Sequence, residues 1–255
     1  MNQLLIDIGN TRVKWAVRRR RRLGRMQALP LSGDGSSAFR QVAAAAVRAK
    51  VTDILAVSVA GIARERSLRR CFKAAGLPVP QLTTSQAVAA GVRNGYREIW
   101  KLGADRWVAA VGAWHEAGRG CAVAVIDVGT ATTLDVVSPQ GLHRGGLIIP
   151  GPALMVDSLL SGTRGIARRA AGGTVKRPQQ LARDTATAIH SGALQATAAF
   201  IAQSARQLRL EYGESAQVYV TGGGSAALRP LLPAGCQVIP DLVLRGLAVL
   251  AYEAP

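Results

Sequence analysis

The hydrophobic pattern changes period several times along the first 120 residues. Leu4 to Ile8 is a continuous apolar run that stops at Gly9-Asn10-Thr11, after which Val13, Trp15 and Val17 alternate with Arg12, Lys14 and Arg18. A run, a turn and a period of two predict an opening β-hairpin. Ala38 to Lys50 has helical spacing, Asp53 to Val59 the pattern of a buried strand, and Ile62 to Ala75 helical spacing again before Gly76 and two prolines. Strands and helices therefore alternate. Trp107, Val108, Val111 and Trp114 recur at helical spacing between Gly103 and Ala117, and the glycines at 118 and 120 predict where that helix ends.

The pattern then restarts. Ala122 to Ile126 is a strand ending in Asp127-Val128-Gly129-Thr130; Thr133 to Val137 and Gly146 to Ile149 are two more, before Pro150-Gly151-Pro152. Gln179 to Leu210 forms one long helical pattern, Gln217 to Val220 a strand running into Thr221-Gly222-Gly223-Gly224, and Leu242 to Tyr252 a closing helix. Two α/β halves, 1–118 and 119–255, are expected.

The two halves open alike. Leu5-Ile6-Asp7-Ile8-Gly9-Asn10-Thr11 is echoed 120 positions later by Val125-Ile126-Asp127-Val128-Gly129-Thr130-Ala131. In each, a buried strand delivers an Asp at its end, and a Gly lets the backbone turn tightly with its N–H groups outward. Such a turn can cradle a phosphate, and the carboxylate beside it can hold a hydrated divalent cation. One Asp-x-Gly element is ordinary hairpin chemistry; two, each opening a half, suggest a duplicated fold with a nucleotide between its halves. The third glycine-rich turn, at 221–224, could let a base or ribose lie against the backbone, although a plain strand-to-helix connection would look the same.

Composition narrows the classes. At 49% hydrophobic residues and a mean hydropathy of +0.16, disorder is excluded as the main state. The net charge of +17, from 32 Lys+Arg against 15 Asp+Glu, favours anionic partners without choosing among nucleic acid, acidic membrane and phosphorylated small molecules. Arg18 to Arg22 is a run of five arginines where the hairpin next turns, read as a solvated loop tip because no stacking aromatics accompany it. Cys71, Cys121 and Cys236 lack CxxC spacing and read as buried, reduced thiols. Met1 to Asp7 has no basic segment ahead of its apolar run, and no apolar run approaches the roughly 20 residues of a membrane span. A cytoplasmic protein is expected.

Other candidate chemistries are weaker. His115, His143 and His190 lack ligand-pair spacing. Ser158 and Ser161 lack a GxSxG context, and GxxxxGK[ST] is absent, which excludes a P-loop kinase. Trp100, Trp107 and Trp114 recur every seven residues, as on a buried helix face or an interface.

An ordered series of segments resembles the type III pantothenate kinases of the actin-like ATPase superfamily: Asp7-Ile8-Gly9-Asn10-Thr11-Arg12-Val13-Lys14, Tyr96, Gly103-Ala104-Asp105-Arg106, Asp127 to Thr132, Gly145 to Gly151 and Asp184 to Ala188. The resemblance implies a duplicated actin-like (ribonuclease H-like) α/β fold and ATP-dependent phosphorylation of the terminal hydroxyl of pantothenate, the first step towards coenzyme A. It implies that Asp7 to Lys14 surround the ATP phosphates, with Asp7 near Mg²⁺ through water, and that Thr130 contacts ATP. Gly222 and Gly223 would border the nucleotide. Asp127 would bind a monovalent cation, K⁺ or NH₄⁺. Tyr96, Gly103, Ala104, Asp105, Arg106 and Thr185 would bind pantothenate, with Asp105 as proton acceptor, and the resemblance implies a homodimer.

The chemistry of those residues agrees with the roles. Phosphoryl transfer needs an aligned hydroxyl, charge neutralisation and a carboxylate that takes the proton, and Arg106 could hold a substrate carboxylate by a bidentate pair. Asp105 and Arg106 could equally do no more than start a helix. Two rival functions are another actin-fold phosphotransferase or phosphatase, which would not require Tyr96, Gly103 to Arg106 and Thr185 together, and a basic nucleic-acid-binding regulator, for which no recognition motif is found. Neither membrane nor nucleic acid is expected as a partner.

Overall fold

The computed structural model describes residues 2–173 and 178–253. The chain forms two compact units, Met1–Gly120 with Pro139–Gly145 and Asp241–Pro255, and Cys121–Ser138 with Gly146–Pro240. Residues 139–145 and the closing segment, which the sequence pattern groups with the second half, thus pack with the first.

The first unit is built on β1 (Asn2–Ile8), whose continuous apolar run is explained by its position between two neighbours. It pairs antiparallel with β2 (Arg12–Arg19). Short strands β3 (Arg22–Leu23) and β4 (Gln27–Pro30) both pair with β2. After α1 (Ser36–Arg48) the chain returns as β5 (Asp53–Ser58), parallel to β1, and after α2 (Ile62–Ala74) as β6 (Gln81–Thr83), parallel to β5. Leu4, Ile6 and Ile8 join one core with Phe39 of α1 and Phe72 of α2. Leu5 and Asp7 have the opposite parity and point to the other face of the sheet.

That other face meets two helices. A two-stranded ribbon, β7 (Val88–Ala89) and β8 (Val92–Arg93), and a 3₁₀ turn at Ile99–Lys101 lead into α3 (Ala104–Glu116). Trp107 and Trp114 of the seven-residue repeat are buried on α3, but Trp100 lies in the 3₁₀ turn and is 75% exposed. The repeat therefore does not mark one face.

The second unit repeats the plan. Strand β9 (Val123–Val128) pairs antiparallel with β10 (Ala131–Val137), and β11 (His143–Pro150) lies beyond β10. Two helices that the hydrophobic pattern did not reveal follow: α4 (Pro152–Gly162), with proline in its first turn, and α5 (Arg164–Ala170). The long helix α6 (Thr185–Tyr212) begins later than its apolar periodicity suggested. The Asp184 carboxylate accepts a hydrogen bond from the Thr187 N–H at 2.8 Å and sets the start. Strand β12 (Gln217–Thr221) is parallel to β9, and after the short α7 (Ser225–Leu228), β13 (Cys236–Val238) is parallel to β12. The sheet orders β3-β2-β1-β5-β6 and β11-β10-β9-β12-β13 follow the same path, and β1-β2, β1-β5 and β5-β6 have the same sense of pairing as β9-β10, β9-β12 and β12-β13. This is the duplicated fold that the two Asp-x-Gly segments announced.

The closing helix α8 (Leu242–Glu253) packs on α3 at two glycines. A Cβ on Gly112 would stand 2.7 Å from the Gly246 nitrogen, and one on Gly246 would stand 2.8 Å from the Val108 carbonyl carbon. Only hydrogen at both positions allows these backbones to approach so closely. That contact, invisible in the hydrophobic period, returns α8 to the first unit. The three cysteines are free thiols, each half-buried where full burial was expected.

Candidate functional site

In the first unit, Asp7 ends β1 nearly buried and lies opposite Lys14 in the hairpin register, with Lys14 Nζ 3.9 Å from Asp7 Oδ2. The turn between them is closed by a hydrogen bond from the Gly9 N–H to the Arg12 carbonyl at 3.0 Å, and the Thr11 carbonyl accepts from the Leu31 N–H at 2.8 Å. Asn10, Thr11 and Arg12 are exposed at the tip, whereas Ile8 and Val13 are buried in the core and anchor the turn from below. The side chains of those two pack in the core, and the Ile8 carbonyl also accepts from the Val59 N–H at 3.1 Å.

The second turn is built alike but is one residue tighter. Ile8 pairs with Val13, leaving four residues in the first loop, whereas Val128 pairs with Thr132, leaving three. The Gly129 N–H donates to the Ala131 carbonyl at 3.0 Å, and the Gly151 N–H to the Thr130 carbonyl at 2.9 Å. Asp127 stands opposite Thr133 rather than a lysine and beside Thr221 on the parallel neighbour. The glycine-rich turn after β12 presses against it. At Gly222 (φ +92°) a Cβ would stand 2.7 Å from the Val128 carbonyl carbon and closer still to Asp127 Oδ1 and the Val128 oxygen. Gly223 follows it in the turn before α7, and Thr185 is the half-buried first residue of α6.

The start of α3 gathers the third group. Ala104 is its first residue, and the Gly103 carbonyl accepts from the Trp107 N–H at 3.0 Å. Asp105 Oδ1 accepts from the Arg106 N–H at 2.8 Å, which fixes the half-buried carboxylate at the helix N-terminus, where the macrodipole favours the anion. A Cβ at Gly103 would lie 2.8 Å from that carboxylate oxygen, so a larger residue there would press on Asp105. Arg106, only 9% exposed, donates from Nη1 to the Tyr96 hydroxyl at 2.9 Å, and its guanidinium lies 5.7 Å from the Tyr96 ring centre. Tyr96, Gly103, Asp105 and Arg106 are thus one cluster within the first unit, although Tyr96 precedes α3 in a separate loop.

Two residues support these groups without any signal in the sequence. The Arg64 guanidinium, on α2, donates to the carbonyls of Asn10 and Gly33 and ties the first turn to the loop before α1. His143, fully buried, sets its ring 5.7 Å from that of Tyr96. The backbone beside it is equally close, since a Cβ on Gly95 would lie 3.1 Å from the His143 carbonyl carbon. Both depend on contacts tens of residues apart.

No cluster of three or more His, Cys, Asp or Glu side chains occurs among the described residues. A divalent ion at Asp7 would therefore share one carboxylate with water and substrate phosphate, an arrangement that suits Mg²⁺, which keeps several waters. At Asp127 the donors suit a monovalent cation: beside the carboxylate stands Thr221, whose buried Oγ1 has no hydrogen-bond partner among the described residues.

A family profile described as type III pantothenate kinase matches residues 3–207. The chain belongs to the type III pantothenate kinases. Curated members include those of Alkalilimnicola ehrlichii, 39% identical over 98% of this chain and 98% of its own, and of Ectopseudomonas mendocina, 37% identical over 96% and 97%. Type III pantothenate kinases are enzymes that phosphorylate pantothenate with ATP on the route to coenzyme A. Solved structures of similar fold include component A of (R)-2-hydroxyglutaryl-CoA dehydratase from Acidaminococcus fermentans, with a TM-score of 0.55 at 16% identity over 100% of this chain and 97% of that one. A ROK family glucokinase from Streptomyces griseus, in complex with glucose and AMPPNP, has a TM-score of 0.50 at 15% identity, with full coverage of both chains. At those identities the likeness establishes the duplicated actin-like fold, which the two matching sheets display independently. No helix among the described residues is long and apolar enough to cross a membrane.

Proposed function

We propose that this type III pantothenate kinase uses Asp105 as the acceptor of the proton from the terminal hydroxyl of pantothenate as that oxygen attacks the γ-phosphate of ATP. The observation that carries the reading is the cluster at the start of α3. A carboxylate held by the Arg106 N–H stands beside an almost buried guanidinium steadied by Tyr96. The guanidinium is a bidentate partner for the carboxylate of pantothenate. Substrate anchoring and proton removal then come from adjacent residues of one helical turn, which fixes the distance between them. Tyr96 and Thr185 are further substrate contacts. Gly9, Asn10, Thr11, Arg12 and Lys14 receive the ATP phosphates, Ile8 and Val13 hold that turn in place, and Thr130, Gly222 and Gly223 are nucleotide contacts.

Mg²⁺, near Asp7 through water, would offset charge on the phosphates, and K⁺ or NH₄⁺ at Asp127 would do so from the other turn. The enzyme works in the cytoplasm as a homodimer. An apolar groove of about 670 Å³ in the second unit, lined by Leu154, Met155, Leu159, Ile189, Ala193 and others, supports the dimer. Leu154 and Leu159 are 43% and 42% exposed there.

ATP turnover measured with and without pantothenate, in potassium and then in sodium, tests the reading. Turnover should require pantothenate and fall in sodium. Turnover independent of pantothenate would remove the substrate assignment, and equal rates in both salts would remove the cation site at Asp127.

A further inference from the structure

The five consecutive arginines have no part in the site above. Strand β2 runs from Arg12, at the first turn, to Arg19, so Arg18 lies six residues, or about 20 Å at 3.3 Å per residue, from that turn. Arg20, at positive φ, and Arg21 form the hairpin tip before β3. The tip is exposed, as the sequence suggests, but two guanidiniums of the run also reach α8. Arg18 donates from Nη1 to the Ala248 carbonyl at 2.7 Å and from Nε to the Arg20 carbonyl at 3.2 Å. Arg21 donates from Nη2 to the Tyr252 hydroxyl at 3.0 Å, and its guanidinium carbon lies 5.3 Å from the centre of that ring.

Between them lies a pocket of about 400 Å³, lined by Arg18, Arg21, Ala248, Val249 and Tyr252. Arg18 Nη2 and Arg21 Nε and Nη1 have no hydrogen-bond partner among the described residues, and the Tyr252 hydroxyl, which accepts from Arg21, keeps its own proton to donate. None of the five guanidiniums has a carboxylate at ion-pair distance among the described side chains. Positive charge is thus concentrated at one hairpin, with no counter-ion at ion-pair distance among the described side chains.

We propose that this pocket is a second ligand site, separate from the catalytic cluster, that takes a phosphate- or diphosphate-bearing small molecule. Two guanidiniums and a phenol hydroxyl lining one pocket can serve the several acceptor oxygens of a phosphate group. The volume falls in the range of small-molecule sites, roughly 300–1,000 Å³. Ala248, Val249 and the Tyr252 ring, 62% of whose residue is exposed, supply an apolar wall for the body of such a ligand. A nucleic acid strand would call for stacking aromatics in series, and the pocket lining has one, Tyr252 of α8.

Inorganic pyrophosphate is the probe. Calorimetric titration with and without saturating AMPPNP should show one saturable site that survives occupation of the nucleotide site. Arg21→Gln, at an exposed tip whose loss leaves the fold intact, should weaken that binding about tenfold or more, the scale of one charge-assisted hydrogen bond. Arg18→Gln should act in the same direction, and Arg40→Gln, which removes one charge from the exposed side of α1, should have no effect. Loss of all binding in AMPPNP would overturn the proposal. Equal losses from Arg21→Gln and Arg40→Gln would also overturn it, leaving only attraction to a basic protein. If a single-stranded oligonucleotide displaced pyrophosphate and lost its own affinity in Arg21→Gln, the surface would belong to nucleic acid instead.

Discussion

Gly222→Ala perturbs the second Asp-x-Gly turn without adding or removing charge. At φ +92° an L-residue costs about 1–2 kcal/mol by backbone sterics alone. The added Cβ would also stand 2.7 Å from the Val128 carbonyl carbon, against an ordinary contact distance of 3.4–4 Å, with Asp127 Oδ1 nearer still. The Val128 carbonyl cannot move away cheaply, since it is β9 backbone that pairs with Thr132. Relieving such an overlap costs a further 1–3 kcal/mol or so. Gly213→Ala is the matched control: φ is +86° and no atom stands within 4 Å of its added Cβ, so it carries only the backbone cost. By thermal unfolding, Gly222→Ala should melt lower than Gly213→Ala by roughly 2–12 °C, at about 2–4 °C per kcal/mol for a chain of this size. Because the displaced groups are Asp127 and its turn, the KM for ATP and the response to potassium should change in Gly222→Ala and stay unchanged in Gly213→Ala. Equal melting temperatures with an unchanged KM would show that the approach of the glycine-rich turn to Asp127 carries no strain and no function.

Asp105→Asn keeps the acceptor for the Arg106 N–H but cannot take up a proton, so kcat should fall by about 10²–10⁴-fold with melting temperature and nucleotide affinity retained; near-normal kcat would leave Asp105 as a helix-start residue only. Hydrogen bonds from the Thr187 N–H hold the Asp184 carboxyl below its ordinary value of 3.8, so this cap stabilises the fold above that pH and its contribution is lost as pH falls through the lowered value. The melting difference between wild type and Asp184→Ala should therefore be constant near neutrality and shrink in acid, and a difference unchanged down to about pH 2 would refute the cap. Gly246→Ala forces α8 away from Val108 and should destabilise the first unit by about 1–3 kcal/mol in chemical denaturation, whereas Gly192→Ala, with open space around its added Cβ, should not.

Much of the local structure was legible because it depends on short-range terms. The opening hairpin, β5, α2 and α3 follow from period, glycine and proline, and the two Asp-x-Gly echoes identified the duplicated plan before any strand order was known. Where periodicity alone was used, boundaries slipped. The apolar spacing from Gln179 continued past the true start of α6, which one carboxylate at Asp184 decides, and α4 and α5 were hidden because their exposed leucines and arginines follow no buried stripe. The tryptophan repeat misled for a related reason: spacing of seven has meaning only if the helix is continuous, and Trp100 lies outside α3.

By itself, then, the sequence determined the chemistry available: which residues could carry phosphate, metal and proton, and in what order along the chain. It also determined most elements, since turn and strand preferences act over a few residues. The tertiary structure decided which of those residues meet. Tyr96 joins Arg106, Arg64 secures the Asn10 carbonyl, and two glycines 134 residues apart bring α8 onto α3. It also placed two arginines of the exposed run, Arg18 and Arg21, in the lining of a pocket. Such pairings depend on backbone approach and side-chain reach across long loops. Those distances are fixed only when sheets and helices pack, so no local pattern encodes them.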